Sequence, residues 1–514
     1  MRRALSAGIA ILAVALIAAP VASAIDRVNT RELRRAVTLD GILEHERALQ
    51  DIAIANDDNR AATSPGYDAS VNYVANRLRR AGYRVTLDPF NFPSWTKNGP
   101  ATFQRTDAGN EATYVEETDF VVAQFSGSAD VSGPIFVAGR TDLPQPSGPG
   151  ASLSGCAPAD FTGIPTGAVA LVQRGTCPFT QKYENAFEAG AAAVLIWNDG
   201  FEDREAPIAT TATFDNTIPA AMISNDIGLA LATTPGATVR LAVSATVTPN
   251  EEMNVIADSV RGDKDRTIVV GAHLDSVAEG PGINDNGSGS STILEIAEEM
   301  AELGDRPRNR VRFAFWGAEE AGLVGSTAYV EEQIENGGID QIEANLNFDM
   351  VGSPNFVRFV YDGDLSDSTP PPGGAPNGSG QIERLFTRYF DRQGLAHAPT
   401  AFDGRSDYGR FIAEDAGVPA GGLFTGAEGI KTEAQEELFG GVAGLPYDPC
   451  YHQACDTFFN LSYTALNQMS DAAAHAAWTL ARSKSEVATA SSAKKAKKSK
   501  RGKALKYKGG LVVR

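Results

Sequence analysis

From about residue 250 onward, short apolar runs typical of strands alternate with stretches typical of helices. In chain order these are Thr267–Val270, Ser290–Leu303, Val311–Phe315, Ala321–Asn336 and Asn345–Phe348. Strands that alternate with helices pair in parallel, because each helix carries the chain back across one face of the sheet. The pattern therefore predicts an α/β fold in which helices sandwich a mixed, largely parallel sheet.

The chain upstream of this region has two different textures. Residues 40–83 show helical spacing of apolar residues over two segments and lead into a strand, Tyr83–Leu87. Residues 115–247 instead contain short alternating strands separated by Gly, Pro and Ser, which predicts a mostly-β insertion. A final amphipathic helix is predicted over Tyr463–Ala481. The predicted divisions are a signal peptide (1–24), a first part of the main domain (25–114), the insertion (115–247), the rest of the main domain (248–483) and a basic tail (484–514).

The first residues predict export. Arg2 and Arg3 precede an apolar run, Ala4–Val21, and a small-residue site, Ala22-Ser23-Ala24. This order is typical of a secretory signal peptide. The alternative is a membrane anchor, but the run is interrupted by Pro20 and is short for the ~20 apolar residues that span a bilayer. We therefore expect a secreted, extracellular protein without a transmembrane segment.

Charge is unevenly distributed along the chain. The whole sequence carries a formal charge of −19, and its last residues, 491–514, hold ten Lys and Arg and no acid, which leaves −29 on the rest. A body this acidic repels polyphosphate, so nucleic acid is not an expected partner. Blocks of like charge are often interaction arms, and the tail is predicted either to contact the anionic cell envelope or to be a dispensable extension.

Four cysteines agree with export, because thiols pair in oxidising compartments. Cys156 and Cys177 are close in sequence, as are Cys450 and Cys455, so two local disulfides are the simplest of the three connectivities. A zinc site made of all four is the alternative. Neither pair has the C-x-x-C spacing that such a site favours.

Polar side chains follow three strands of the predicted sheet at the same end. They are His273, Asp275 and, in the next loop, Asp285 after the first strand, Glu319 and Glu320 after the second, and Asp349 after the third. Ligands of open α/β sheets bind beyond the carboxyl ends of the strands. Imidazole and carboxylate ligands together suit zinc, and one carboxylate can bridge two metals. The clustering predicts a catalytic metal site.

A pair of metals needs a second imidazole. His45 and His475 lie in predicted helices, where ordinary surface or core roles are expected, and His397 lies in a polar loop. His452 stands between Cys450 and Cys455, where a disulfide would hold its loop. We therefore favour His452 as the second imidazole ligand. The alternative is that His452 is a solvated loop residue.

At this level the sequence resembles a known family. The segments AHLDS, INDNGSG, FWGAEEAGLVGS, NFDMVGS, DGRSDYGRF, GGLFTGAEGIKT and CYHQACD are similar to those of the secreted bacterial di-zinc aminopeptidases, relatives of leucine-preferring and aminopeptidase S and Y enzymes. The resemblance covers about 27–110 and 248–482. The segment GAVALVQRGTCPFTQKYENAFEAGAAAVLIWNDG resembles the protease-associated (PA) domain that interrupts many such enzymes.

The resemblance implies a role for each matching residue. His273 and Asp349 would hold one Zn²⁺, Glu320 and His452 the other, and Asp285 would bridge both. Asp275 would orient His273, the usual carboxylate–histidine–metal arrangement. Glu319 would be the general base, and Tyr451 would donate a hydrogen bond to the oxyanion. Arg405 would contact substrate, and Met350 and Phe424 would line an apolar pocket, although a surface ion pair for Arg405 and core packing for Met350 and Phe424 are equal readings.

The expected function is removal of an apolar, Leu-like N-terminal residue from peptides with a free N-terminus. A carboxypeptidase or dipeptidase with the same two-metal core is the alternative, and a binding protein that lost the chemistry is a more distant one. The sequence has no G-x-S-x-G nucleophile elbow, which excludes a serine hydrolase of that type. It also has no H-E-x-x-H helix, which excludes a single-zinc endopeptidase of that type. Some relatives bind a structural Ca²⁺, for which the sequence gives no position.

Overall fold

The computed structural model describes residues 25–488 apart from 26, 144–145, 147, 149, 202–203, 209, 211, 213–216, 305 and 368–373. The predicted signal peptide and residues 491–514 of the tail lie outside this range. The helices are α1 (Arg31–Ala36), α2 (Leu39–Ile54), α3 (Pro65–Arg80), α4 (Phe179–Glu188), α5 (Asn225–Ala232), α6 (Ser288–Glu302), α7 (Val324–Glu335), α8 (Ser379–Gln393), α9 (Gly409–Ile412), α10 (Glu433–Phe439) and α11 (Tyr463–Arg482).

The strands fall into two large sheets and one short ribbon. They are β1 (Arg84–Asn91), β2 (Ser94–Lys97), β3 (Thr102–Arg105), β4 (Ala112–Tyr114), β5 (Phe120–Val122), β6 (Ala129–Val137), β7 (Val169–Gln173), β8 (Ala193–Trp197), β9 (Ala220–Ile223), β10 (Thr238–Val243), β11 (Ala245–Thr248), β12 (Glu251–Asp258), β13 (Asp263–His273), β14 (Asn309–Trp316), β15 (Ile342–Phe348), β16 (Phe359–Tyr361), β17 (Ala398–Thr400) and β18 (Ala420–Phe424).

The main sheet has the order β1-β12-β14-β13-β15-β18-β16-β17. Its centre is parallel, because β14, β13, β15 and β18 all run the same way, while β1 and β12 add antiparallel pairs at one edge and β16 pairs antiparallel with β18 near the other. The predicted mixed, largely parallel sheet is confirmed. Because β13, β14 and β15 are neighbours, the residues that follow them meet at one end of the sheet.

Helices cover both faces of this sheet, as the strand pattern requires. Ile268 and Val270 of β13 pack in a core with α2, α3, α6, α8 and α11, while Val269, between them, packs with α7 and α9 on the other face. Successive residues of a strand point to opposite faces, so a strand buried on both sides must be apolar throughout. This is why 267–270 is a continuous apolar run.

The helix starts follow from local capping. The side chain of Thr38 accepts the backbone N–H of Gly41 at the start of α2, and Ser64 accepts that of Tyr67 at the start of α3, where Pro65 occupies the first turn. These caps satisfy backbone donors that have no partner inside the helix. In the described ranges, none of the helices is both long and apolar enough to cross a membrane.

One predicted helix begins later than its pattern suggested. The sequence indicated a helix from Ala321, but α7 begins at Val324 because Leu323 has φ +61°, a left-handed conformation that a helix cannot include. Glu319 and Glu320 therefore lie on a turn between β14 and α7. Their side chains are free to point in different directions.

The insertion forms a second sheet with the order β4-β3-β10-β6-β7-β8-β9-β5. Its parallel strands β6 to β9 carry α4 on one face and α5 on the other. Since β3 and β4 belong to this sheet, it includes residues 102–114, which the sequence had assigned to the main domain. Those strands are short and flanked by Gly and Asn, so only their cross-strand partners identify their sheet.

A two-stranded ribbon joins the insertion to the main domain. Residues Ser94–Lys97 pair antiparallel with Ala245–Thr248, and just before the ribbon the backbone N–H of Phe92 donates to the carbonyl of Asn250 at 2.9 Å. The chain thus leaves the main domain and returns to it at almost the same point. An insertion connected this way need not disturb the sheet that carries the site.

Candidate active site

The predicted polar residues meet at the carboxyl ends of the parallel strands. His273 is the last residue of β13 and lies in register with Trp316, the last residue of β14. Glu319 and Glu320 follow β14 on their turn, and Asp349 follows β15 directly. The topology therefore brings three chain segments to one place, as the sequence predicted.

His273 faces two carboxylates. Its Nε2 atom lies 3.2 Å from Oδ1 of Asp285 and 3.3 Å from Oδ1 of Asp349. The imidazole is buried. Burial opposes its protonation, but the surrounding carboxylates, Asp349 foremost, raise the pKa of His273 well above its usual value. This is a compact set of one nitrogen and two oxygens.

His452 faces a second set. Its Nε2 atom lies 3.2 Å from Oδ2 of Asp285 and 3.0 Å from Oε2 of Glu320. Asp285 thus turns one oxygen toward each histidine. The two sets share only this carboxylate, which is the arrangement that a bridged pair of metal ions requires.

The donor atoms fit zinc in chemistry and in spacing. Nε2 of His273, Oε1 of Glu320 and Oδ1 of Asp349 are buried without a hydrogen-bond partner in the described residues, which is costly unless a ligand satisfies them. Two atoms bound to one tetrahedral zinc at about 2.0–2.2 Å lie about 3.3–3.6 Å apart. The four nitrogen–oxygen separations, 3.0–3.3 Å, lie at or just below the lower end of that spacing.

Asp275 contacts both His273 and the turn that carries Glu319 and Glu320. Its Oδ1 atom lies 3.6 Å from Nδ1 of His273, whose nearer partner is the Asp275 carbonyl oxygen at 3.2 Å. Both carboxylate oxygens accept backbone N–H groups, from Glu319 at 3.1 Å and from Glu320 at 3.2 Å. Asp275 therefore fixes the turn that carries both glutamates in addition to contacting His273.

Glu319 points differently from Glu320. Its Oε2 atom lies 4.0 Å from Nε2 of His273, whereas Glu320 contacts His452. Burial, opposed by His273, raises the pKa of the Glu319 carboxyl well above its usual value. A carboxyl that can carry a proton beside a metal-ligand set is suited to proton transfer.

The loop that carries His452 is closed by a disulfide. Cys450 and Cys455 are bonded, with their Cα atoms 5.3 Å apart, and Cys156 is bonded to Cys177. The local pairing predicted from the sequence is confirmed. Inside the loop His452 adopts φ +55°, and the ring of Tyr451 stacks on it at a centroid distance of 3.8 Å.

A cavity of about 380 Å³ opens beside the ligand sets. The predicted residues Met350, Arg405, Phe424 and Tyr451 all line it. Its wall also contains aromatic side chains that the sequence analysis did not single out, namely Phe359, Tyr361, Tyr408 and Tyr447. The cavity is thus lined both by apolar and aromatic side chains and by the carboxylates of the ligand sets. Arg405 lies at the rim, 3.9 Å from Glu428.

Three supporting residues were missed in the sequence. Ser406 donates a hydrogen bond from Oγ to Oδ2 of Asp349 at 2.6 Å, and its position in DGRSDYGRF could have indicated it. Arg60 is buried and donates to the carbonyl oxygens of Leu274, Pro281 and Gly282. No local sequence pattern around Arg60 could have indicated this role. Asp456 accepts backbone N–H groups from the Asp285 loop.

Another acidic group, Asp362, Asp364 and Glu383, lies elsewhere in the chain. Asp362 accepts the backbone N–H groups of Ser366 and Asp367, and Asp364 pairs with Arg384. The carboxylates thus have protein partners. We assign no calcium to them.

The fold and the paired ligand sets define a class, the metal-dependent exopeptidases built on an α/β sheet. Comparison with known proteins agrees. The model of peptidase family M28 matches residues 254–477, and the PA domain model matches residues 131–231. An aminopeptidase of Pseudomonas aeruginosa (strain UCBPP-PA14) is 45% identical over 445 residues, which are 86% of this chain and 81% of the relative. The chain therefore belongs to peptidase family M28, and it is an aminopeptidase with an inserted PA domain.

Solved structures share the architecture. An aminopeptidase from Aneurinibacillus sp. strain AM-1 superimposes with a TM-score of 0.65 and 25% identity, over 90% of this chain and 98% of the other. A zinc aminopeptidase from Bacillus subtilis gives a TM-score of 0.53 and 24% identity over 86% and 94% of the two chains. The second likeness supports the fold alone.

Proposed function

We propose that this aminopeptidase is exported and removes an apolar, Leu-like N-terminal residue from peptides with the help of two zinc ions. One observation carries the proposal: Asp285 turns one carboxylate oxygen toward His273 and the other toward His452, each at 3.2 Å. A carboxylate shared in this way between two nitrogen–oxygen sets is suited to two cations. A single ion would leave one set unsatisfied.

The two sets define which residues would hold the metals. His273 and Asp349 would hold one ion and Glu320 and His452 the other, with Asp285 shared. When bound, the two ions would act as Lewis acids toward the scissile carbonyl and the attacking water. Ser406 and Asp275 would keep Asp349 and His273 in place through the contacts described above.

Glu319 is assigned the proton transfer. It lies beside His273 and lines the cavity, but its Oε2 atom is 4.0 Å from Nε2 of His273, farther than the oxygens of Asp285 and Asp349 at 3.2 and 3.3 Å. It would take a proton from the attacking water and deliver it to the amine that leaves. Burial raises the pKa of the Glu319 carboxyl and so favours its acceptance of the proton that the second step returns.

Tyr451 is assigned to the oxyanion. Its ring is held by stacking on His452, and it lines the same cavity as Glu319. Burial and the nearby carboxylates raise the pKa of the Tyr451 hydroxyl, so it remains a donor at any ordinary pH. A fixed hydroxyl donor directed at developing negative charge lowers the barrier without reorganisation.

The cavity supports a preference for an apolar first residue. Met350, Phe359 and Phe424 form an apolar wall, and Phe359 stacks on Phe424 with centroids 6.0 Å apart. Burying a Leu side chain against such a wall contributes about 1.5–3 kcal/mol relative to leaving it in water. Export is supported by the two disulfides together with the signal-like first 24 residues.

The test uses peptides blocked at one end. An aminopeptidase cleaves Leu-anilide and C-amidated peptides and spares N-acetylated ones, whereas a carboxypeptidase does the reverse and a dipeptidase leaves longer peptides intact. Purified enzyme is assayed on each, before and after chelation and after addition of Zn²⁺. Equal cleavage of free and N-acetylated substrates, or full activity in the chelated enzyme, would contradict the proposal.

A further inference from the structure

A second histidine cluster lies among the helices on the α2 face of the main sheet. His45 of α2 is only 1% exposed, and its Nδ1 atom lies 2.8 Å from the hydroxyl of Tyr73 on α3. Its Nε2 atom has no hydrogen-bond partner among the described residues. That nitrogen faces Oε2 of Glu295 at 3.7 Å and Oε2 of Glu298 at 3.6 Å.

The separations are too long for hydrogen bonds, whose N···O distances are about 2.7–3.2 Å. An imidazole nitrogen buried without a partner costs stability unless something satisfies it. The two glutamates lie three residues apart on α6, so they share one face of that helix. One ligand atom from each of the three residues lies within 4.8 Å of the other two.

The charges around the cluster favour a cation. Arg77 donates hydrogen bonds to two carboxylates. Two of its nitrogens bind Glu298 at 2.7 and 2.6 Å, and the third binds Glu44 at 2.7 Å. Glu295 accepts hydrogen bonds only from the backbone N–H and hydroxyl of Thr38 in the described chain and has no Arg or Lys partner there. Two carboxylates, Glu44 and Glu298, thus share one guanidinium and the third, Glu295, has none, which leaves net negative charge beside an unpartnered nitrogen.

We infer that His45, Glu295 and Glu298 form a third metal site, separate from the reaction centre, that binds Zn²⁺. One imidazole and two carboxylates are zinc ligands, and an ion about 2.0–2.2 Å from each would need the three atoms to approach by only a few tenths of an ångström. The Tyr73 hydroxyl would accept a hydrogen bond from the Nδ1–H group of His45. The Nε2 atom would then carry the lone pair that binds the metal. Arg77 would orient Glu298.

The site borders a surface cleft and would have a structural role. Glu298 lines this cleft with Arg77, Arg80 and Glu302, so one of the three ligands is reached from solvent. A metal bound here joins α2 to α6, and α6 begins directly after the loop Ile283–Gly287 that carries Asp285. The ion would therefore stabilise the helix layer behind the reaction centre without taking part in hydrolysis.

The experiment compares the full-length protein with His45→Gln, which keeps the size of the side chain but lacks the imidazole. His397→Gln is the matched control, because His397 contacts a single carboxylate, Asp391 at 3.2 Å, on the surface. All three proteins are equilibrated with buffered free Zn²⁺, and bound zinc is measured by mass spectrometry. The difference between proteins is the readout, so it does not depend on how many ions the reaction centre binds.

His45→Gln is expected to bind about one zinc fewer per chain than wild type, and His397→Gln the same number. In addition, Zn²⁺ at about 100 times its Kd should raise the Tm of the chelated wild-type protein by about 4 °C more than that of Glu298→Gln, which removes a ligand charge without removing the histidine. Equal zinc content in wild type and His45→Gln, or equal Tm shifts in wild type and Glu298→Gln, would overturn the inference.

Discussion

The carboxylate of Asp456 accepts a hydrogen bond from the backbone N–H of Asp285 at 3.0 Å. Its other oxygen accepts the N–H of Asn284 at 2.8 Å. Asp456 follows Cys455 directly, so the disulfide-closed loop that presents His452 also holds the backbone of the shared carboxylate. The position of one imidazole and that of the bridging residue are therefore set by the same seven-residue segment, 450–456.

Asp456→Asn should weaken metal binding without unfolding the protein. The amide keeps one acceptor oxygen but turns an NH₂ group toward the second backbone donor, so the Asp285 loop loses a support. Changes of this kind, one contact away from a metal ligand, typically cost about 10–100-fold in metal affinity or activity. Zinc titration of the chelated enzyme and kcat/KM on Leu-anilide measure the effect.

Asp471→Asn is the control, because Asp471 lies on α11 and contacts Arg34 at 3.7 Å and the side chain of Tyr389, but no residue of either ligand set. It should leave both values unchanged. If Asp456→Asn binds zinc as tightly as wild type, the carboxylate does not support the ligand loop.

Glu319 and Glu320 should separate into two phenotypes. Glu319→Gln should keep its metal and lose activity by about 10²–10⁴-fold, because an amide cannot accept the proton. Glu320→Gln should bind less zinc, because it removes the anionic partner of His452 at 3.0 Å. Metal content and single-turnover rates are measured on both proteins. A parallel fall of metal content in the two variants would refute the division of roles.

Much of this site could be predicted from the sequence, because each ligand follows an apolar run or stands in a short distinctive segment. His273, Glu319, Glu320 and Asp349 are readable as strand-end residues once the strands are recognised. Arg60 and Asp456 are not readable in this way, because their partners are backbone groups more than 170 positions away along the chain. Only the folded chain brings them together.

The fold was predictable to a similar degree. The parallel centre of the main sheet follows from long apolar runs buried on both faces. Short strands near the sheet edge, such as β16 and β17 with three residues each, carry too few positions for a pattern. His45 shows the same limit for function: its helical spacing indicated only a packing residue, and its two glutamates lie about 250 positions away on α6.

Loss of the Cys450–Cys455 disulfide should lower activity more, and loss of the Cys156–Cys177 disulfide should lower stability more. In a chain-entropy model the Cys450–Cys455 bridge, with a sequence separation of 5, contributes about 2 kcal/mol, and Cys156–Cys177, with a separation of 21, contributes about 3 kcal/mol. Replacing Cys450 and Cys455 by Ser should nevertheless lower kcat/KM more, because it frees Tyr451 and His452. Replacing Cys156 and Cys177 should lower the Tm of the inserted domain and spare hydrolysis of Leu-anilide. The reverse order of effects on activity would contradict the role given to the smaller loop.

The basic tail is expected to bind anionic surfaces. Residues 491–514 contain ten Lys and Arg, and each basic residue near an anionic surface contributes about 1 kcal/mol at low salt. A protein that ends at Ala490 should therefore bind cell-envelope fractions less than the full-length protein, and the difference should shrink at high salt. Co-sedimentation at two salt concentrations measures this. Equal binding of both proteins would leave the tail without a tethering role.

Removing the inserted domain should spare small substrates and change selectivity for peptides. None of the described residues that line the cavity comes from 94–248, so Leu-anilide should be hydrolysed at an unchanged rate. The backbones of Phe92 and Asn250 are hydrogen-bonded at 2.9 Å, so a Gly-Gly link from Pro93 to Pro249, in place of Ser94–Thr248, has only a short distance to span. If the domain restricts access by size, the ratio of kcat/KM for a ten-residue peptide to that for Leu-anilide should rise in the shortened protein. An unchanged ratio would leave the domain with a structural role only, and loss of anilide hydrolysis with a normal melting transition would mean that it supports the reaction centre directly.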